Sequence, residues 1–401
     1  GHLRGRWTVV DDGVEAASGD LPTVVVEPAT EDTVIVELPS PPDDGVERRL
    51  RVEWFDPSGH RVAWDDMPLA VGRRTAPPSR VQRRAVAGDG HRVEAQRNGD
   101  RTEIRVGGSE MSIDAVGVPQ SFVIDDVEWL TPGGRFGITR GLTDNDRALF
   151  GPEQAARQLR AAGLLRTEPE PVDVTVHRHA DGVVVVDAMS RFGSSPQLLV
   201  VHVRWLFAPD GEIACDVVTD AEPSVPPLLR VGLELPLAVD HPVLHGYGPG
   251  PSETYPDRVG GQIVGRWSHG LDGANFAYAR PQETGNHTAV RWAAIVHGAS
   301  TLMAVGDPVF DTALRSFADG DIRRQRHPHE VERSPHPWWR IDAAHSGLGT
   351  GSCGPGVAER HRVHPGHVRN RILFASVGEG QDPGHVARRM RTLRRARTEL
   401  H

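Results

Sequence analysis

Apolar and polar residues alternate in short runs along most of the chain, which is the period of half-buried β-strands. Near the N-terminus the pattern appears at 7–10, 23–26, 34–38 and 50–55, with Asp11-Asp-Gly and Asp56-Pro-Ser-Gly as turn sequences between strands. Four or five strands make an incomplete immunoglobulin-like sandwich, which normally needs about seven. Residues 1–75 are therefore expected to be the C-terminal part of such a sandwich, with the chain starting inside a domain. A Pro/Arg-rich stretch follows, and 76–82 is the expected linker. From 83 to 380 strands dominate again, with alternation at 102–106 and 173–177 and near-continuous apolar runs at 183–186 and 198–205 that suit central strands. Helical spacing predicts one internal helix at 152–165, where Ala155, Leu159 and Ala162 mark a face behind Pro152. A second is predicted at 384–400, within a basic C-terminal segment, 381–401, that fits a solvated terminal helix. The expected class is all-β, with a small partial sandwich ahead of a large antiparallel one.

Composition sharpens this picture. The 401 residues include 44 glycines and 32 prolines, as many turns require, and only 38% are hydrophobic. A net charge of −9 argues against a nucleic-acid partner. All 45 basic residues are arginine. The two cysteines, Cys215 and Cys353, exclude a disulfide framework and sit in no metal-like spacing, which favours a reducing compartment. No apolar run approaches the ~20 residues of a membrane span, and the first residues lack a hydrophobic signal region. The expected location is the cytoplasm, away from any membrane.

Four segments carry chemistry. Residues 247–258, Tyr-Gly-Pro-Gly-Pro-Ser-Glu-Thr-Tyr-Pro-Asp-Arg, hold Glu253, Tyr255, Asp257 and Arg258 on a backbone stiffened by glycine and proline. Such rigidity serves a sugar-facing wall, and it equally serves a buried Arg–carboxylate brace. Residues 278–292 are dense in hydrogen-bonding groups, among them Arg280, Gln282, Glu283, Asn286 and His287. They can line a sugar site or stitch two sheets together. In 338–357, Asp342 and His345 precede a glycine-rich loop that has no Gly-Lys-Ser/Thr ending and so is no phosphate cradle. A Cys353–His345 nucleophilic pair has only nearness in sequence to support it. The fourth, Thr143-Asp-Asn-Asp near Arg140, offers Asp144, Asn145 and Asp146 to a cation or to a turn brace. The histidines of His327-Pro-His329-Glu330 and His336 lack the spacing of a zinc helix, and chance clustering accounts for them.

Taken in order, these segments resemble the C-terminal region of family 2 β-galactosidases. The family pattern Arg-Ala-Pro-Thr-Asp-Asn-Asp is similar to 140–146, with Gly141 and Leu142 in place of Ala-Pro. Tyr-Gly-Arg-Gly-Pro-x-Glu-Asn-Tyr-Pro-Asp-Arg is similar to 247–258, with Pro249 and Thr254 as departures. Arg-Pro-Gln-Glu-x-Gly-Asn-Arg-Thr-x-Val-Arg-Trp is similar to 280–292, with His287 replacing an arginine, and Asp-x-x-His/Gln-x-Gly-Leu-Gly is similar to 342–349. The resemblance implies that 83–380 form the large super-sandwich that closes these enzymes, of galactose mutarotase-like type. It also implies substrate-pocket roles for Asp144, Asn145, Glu253, Tyr255, Arg280, Glu283, His345 and Cys353. Cys353 stands where some members carry a tryptophan that stacks on the leaving group. Both catalytic glutamates of the family sit on a (β/α)8 barrel, which this chain has no alternating pattern to build. The chain is thus expected to be a non-catalytic part that needs a barrel-bearing partner or large subunit, within an oligomer that hydrolyses terminal β-galactosides. Mg and Na, where such enzymes use them, would belong to the barrel, and none is expected here. The rival expectations are a carbohydrate-binding or assembly module, and an aldose 1-epimerase pairing Glu253 with His245 or His269.

Overall fold

The computed structural model describes residues 3–27, 29–40, 45–71, 90–147, 154–323 and 325–398. The first sheet contains β1 (Arg4–Asp11), β2 (Val14–Asp20), β3 (Glu47–Phe55) and β4 (Arg61–Val71), in the antiparallel order β2-β1-β3-β4. Asp12 and Gly13, at φ 46° and 80°, make the two-residue turn between β1 and β2. The apolar runs at 23–26 and 34–38 join neither outer edge of this sheet, at β2 or at β4, and form no strand. Val25 and Ile35 are instead 69% and 88% exposed. Those two expected strands are corrected accordingly. The expected linker at 76–82 lies outside the described residues.

The second sheet is a meander of β5 (Glu94–Asn98), β6 (Arg101–Val106), β7 (Ser109–Ile113), β8 (Pro119–Ile124) and β9 (Val127–Glu128). It covers one face of a curled antiparallel sheet of twelve strands. Those strands are β10 (Arg135–Gly137), β11 (Glu170–Arg178), β12 (Val184–Phe192), β13 (Leu199–Phe207), β14 (Ile213–Ala221) and β15 (Arg230–Pro236). They continue as β16 (Val243–Gly250), β17 (Ile263–Gly270), β18 (His287–His297), β19 (Ser300–Arg315), β20 (Trp338–His345) and β21 (Arg369–Ser376). The long β19 is the spine and pairs with β18, β20 and β21. The core lies between the layers: Phe122 meets Phe374 edge-on at 6.2 Å, and the buried Trp205 indole donates to the Gly117 carbonyl at 2.8 Å.

Helices are few: α1 (Asp144–Arg147), α2 (Ala155–Ala161), α3 (Asp319–Ile322) and α4 (Pro383–Thr398). Buried Leu159 anchors α2 as its spacing predicts, whereas Pro152 lies outside the described residues. The α4 helix falls where the basic terminal helix is expected. No helix among the described residues is long and apolar enough to cross a membrane.

Candidate functional site

Four segments meet at one end of the curled sheet: the turn into α1, the β16–β17 connection, the segment before β18 and the loop after β20. An ionic network buried beneath them holds them in place. Arg140, Arg230, Arg315 and Arg340 are among the largest fully buried side chains. Glu283, 1% exposed, accepts from both Arg340 terminal nitrogens at 3.0 and 2.8 Å and also from Arg315. Burial alone would raise the Glu283 carboxyl, but Arg315 and Arg340 outweigh it and hold it well below the usual carboxylate range. Asp319 follows the same logic, lowered by Arg315, Arg230 and Arg340 against its burial. Glu234 has no such surplus of cations. Burial first, then the Asp319 charge, push it up to about 7.

Each arginine also ties a loop to the network. Arg315 donates to the Thr284 carbonyl at 2.7 Å, and Arg340 donates to Asn286 Oδ1 at 2.8 Å, fixing the segment before β18. Arg230 donates to Asp342 Oδ1 at 2.7 Å, to Asp319 Oδ2 at 3.1 Å and to the Thr139 carbonyl at 2.9 Å. Arg140 pairs with Asp146 and reaches the Gly347 carbonyl at 3.2 Å. Asp146 in turn accepts from the Thr143 amide and hydroxyl, so the carboxylate closes the turn into α1. Of the two readings of that segment, brace or cation site, Asp146 is used as a brace.

A bulge makes the Asp342–His345 pair possible. Residues three apart on a regular strand point to opposite faces. Between β15 and β20 the register shifts at Val231/Gly232, which inserts Ala343 as an extra residue. Asp342 and His345 are then both buried, with Asp342 on Arg230 and His345 Nε2 3.7 Å from Glu283. His345 Nδ1 faces the Ser346 carbonyl at 2.8 Å. Gly232 is required at the bulge, because a Cβ there would lie 2.3 Å from Asp342 Oδ1 and 2.5 Å from the Ile341 carbonyl.

The motif at 247–258 divides its work. Gly246 and Gly250 lie under the Trp267 indole, which a Cβ at either would meet at 2.3 and 2.5 Å. Tyr255 is wholly buried, 5.4 Å from the His345 ring, and burial followed by the charges of Glu283 and Glu253 pushes its phenol well up. Asp257 accepts the amides of Leu348 and Gly349 at 2.9 and 2.7 Å and so fixes the glycine loop. Glu253 has both oxygens engaged: Oε1 accepts from Arg258 at 3.0 Å and from the Tyr278 hydroxyl, and Oε2 accepts from the Gly285 amide at 2.8 Å and Thr284 Oγ1 at 3.2 Å. Glu253 and His269 line one cavity, while His245 is not among its lining residues.

The outer layer holds the remaining sequence-derived candidates. Asp144 is exposed and lies 3.4 Å from Arg280. Asn145 donates to the Gly349 carbonyl at 2.6 Å and accepts from the Ser352 amide at 3.1 Å. It thereby holds the loop that presents the exposed Cys353. The structure thus brings all eight candidates to one end but splits them, with Tyr255, Glu283 and His345 in the interior and Asp144, Arg280 and Cys353 outside. Cys353 and His345 lie on different sides of that division. Sequence reading missed Arg230, Arg315 and Asp319, which occur in no quoted motif. Arg340 stood inside the quoted 338–357 segment without being singled out. Among the described residues no group of three or more His, Cys, Asp or Glu is arranged to hold a metal ion.

The model of the family described as beta galactosidase small chain matches residues 106–374. Beta-galactosidase 2 of Enterobacter cloacae is 26% identical over 355 residues, covering 86% of this chain and 33% of the relative. The beta-galactosidase of Arthrobacter sp. (strain B7) is 30% identical over 268 residues, covering 60% of this chain and 26% of the relative. This chain therefore spans at most about a third of these curated relatives. Among solved structures, a putative aldose 1-epimerase from Escherichia coli K12 aligns at 9% identity and a TM-score of 0.36, over 72% of this chain and all of that one. The matched region takes in the loops of the braced end and most of both layers, and the chain belongs to the β-galactosidase small chain family.

Proposed function

We propose that this chain is the sheet-built portion of a β-galactosidase, which completes the sugar pocket of a barrel-bearing portion and leaves bond cleavage to it. The observation that carries the reading is the brace. A buried ionic lattice is an expensive way to stabilise a fold, since each ion must be taken out of water. It makes sense where loop positions must be fixed to fractions of an ångström for a partner or a substrate. Asp144, Asn145, Arg280 and Cys353 form the surface offered to that pocket, with Glu253, Tyr255, Glu283 and His345 as its support. A retaining glycosidase needs two carboxyl groups about 5 Å apart and free to reach the sugar. At this end Glu283, Asp319, Asp342 and Asp146 are each committed to arginine. A small cysteine at 353 removes a stacking surface, so the leaving-group side of the pocket would be open and tolerant.

On the same reading the first sheet is the end of an immunoglobulin-like domain, residues 76–82 are a linker, and the working assembly is oligomeric and cytoplasmic. The test is reconstitution. The isolated chain should not turn over nitrophenyl β-galactoside, and mixing with the barrel-bearing portion of a relative should restore turnover. Hydrolysis by the chain alone would overturn the proposal.

A further inference from the structure

The buried ions of the braced end do not balance. Its buried guanidiniums are Arg140, Arg230, Arg315 and Arg340, and its buried carboxyls are Asp146, Glu234, Glu283, Asp311, Asp319 and Asp342. Asp146, Glu283, Asp319 and Asp342 each pair with at least one of those arginines. Glu234 and Asp311 form no ion pair with any of them among the described residues. Negative charge held out of water without a cation is costly, and an acid so placed avoids the cost by keeping its proton.

The surroundings of Glu234 leave it no cation. Its Oε1 accepts the Asp319 amide at 2.6 Å, which sets it beside the Asp319 carboxylate. Arg340 stands opposite it on β20 but binds Glu283 and Asp342. Arg135 stands opposite it on β10 but lies over the Trp338 ring, at 5.6 Å. Arg230 and Arg315 both hold Asp319. A protonated carboxyl still accepts through its carbonyl oxygen, so the proton removes the repulsion and keeps the bond that ties α3 to β15.

Asp311 is placed in the same way on β19. Its Oδ1 accepts the Thr288 hydroxyl and the Ala289 amide, both at 2.9 Å. Its direct partner across β20 is Asp342, and like charges so placed repel. The other titratable neighbour is His345, whose charge favours the ionised form. Ala289 is a non-glycine residue at φ 53°, beside a register shift in β18, so the Asp311 bond pins a backbone that is costly to hold.

We propose that the braced end is a proton-operated clamp: it closes with Glu234 and Asp311 protonated, and ionisation of each loosens the element it holds, α3 for Glu234 and the start of β18 for Asp311. The direction follows from the charges. Burial first, then Asp319, put Glu234 at about 7, and burial puts Asp311 at about 6 against the pull of His345. A carboxyl raised in the folded state contributes its full stability below its ordinary value of about 4, and loses it as pH rises through the raised value. The hold of Asp311 is therefore lost first and that of Glu234 about one pH unit later. Glu283 and Asp319, lowered by their arginines, work in the opposite sense and release only in stronger acid. The clamp belongs to this chain alone and stands whether or not the chain completes a barrel.

Hydrogen exchange of the full chain, corrected for the intrinsic pH dependence of amide exchange, tests it. Protection at 319–322 should fall about tenfold between about pH 6 and about pH 7, then level off. Protection at 288–290 should fall about tenfold between about pH 5 and about pH 6, then level off. Glu234→Gln should flatten the first profile and spare the second, and Asp311→Asn should do the reverse. In the unsubstituted chain the infrared C=O stretch of a protonated carboxyl should be present at about pH 6 and gone at about pH 8, a readout that needs neither variant to fold. The proposal is overturned if protection shows no such profiles, if the band is absent at about pH 6, or if the slopes survive both substitutions, which would assign them to His345.

Discussion

Glu283 is the acceptor shared by Arg315 and Arg340, so removing its charge would leave two buried guanidiniums with only Asp319 and Asp342 to answer them. Breaking a buried ion pair from one side costs about 3–5 kcal/mol. Glu283→Gln should lower unfolding stability by an amount in that range, read as a fall in the urea midpoint. A loss under about 1 kcal/mol would mean that the network is not what stabilises this end. The three tyrosines of the chain, Tyr247, Tyr255 and Tyr278, give a second, optical readout. All three are raised, in each case first by burial. A phenol whose folded value exceeds its unfolded one favours the folded state below about pH 10, and that contribution is lost as pH rises through the folded value. Phenolate absorbance at pH 10 should therefore be lower in the native protein than in urea, where it appears with its ordinary midpoint. Normal titration of the native protein would contradict their burial. At this scale the sequence pointed to Glu283 and His345 but not to the way they face, nor to Arg230, Arg315 and Asp319 beneath them. Glu283 and His345 are the same letters in a sugar-facing wall and in a brace, and the positions of Arg315 and Arg340, distant along the chain, make Glu283 part of the brace.

Glycine placement governs the strands at this end. Gly246 and Gly250 on β16 make room for Trp267 on β17, whose indole then stacks on His287. Gly246→Val should expel the indole, visible as a red shift and loss of tryptophan fluorescence structure. An unchanged spectrum would show that the strand can yield. Strand existence was largely readable from alternation at β6 and β11 and from a near-continuous apolar run at β13. Residues 23–26 and 34–38 misled because β-propensity describes what a segment can do, while strand formation needs burial against neighbours that exposed Val25 and Ile35 do not have. The Ala343 bulge was equally hidden, since one extra residue leaves no periodic trace over so short a strand. The four motifs were legible in order, yet the β15–β20 contact that aligns two of their side chains was not.

Across the whole molecule, the first sheet is fastened to the large one by charge. Arg291 donates to both oxygens of Glu47 at 2.8 and 2.6 Å, Arg266 donates to the Asp12 carbonyl at 2.8 Å, and Asp66 accepts the Val264 amide at 3.0 Å. Arg291→Met keeps the bulk and removes the fork. Hydrogen exchange should then quicken in β1 and β3 while β12–β14 stay protected, and equal quickening in both sheets would contradict a local fastening. The lattice under the loops has the opposite character, because it belongs to no single strand. One carboxylate, Glu283, answers to guanidiniums from β19 and β20. Were Glu283 lost, Arg315 would still face Asp319 and Arg340 would still face Asp342, so the lattice fails by degrees and no single exchange releases every loop at once.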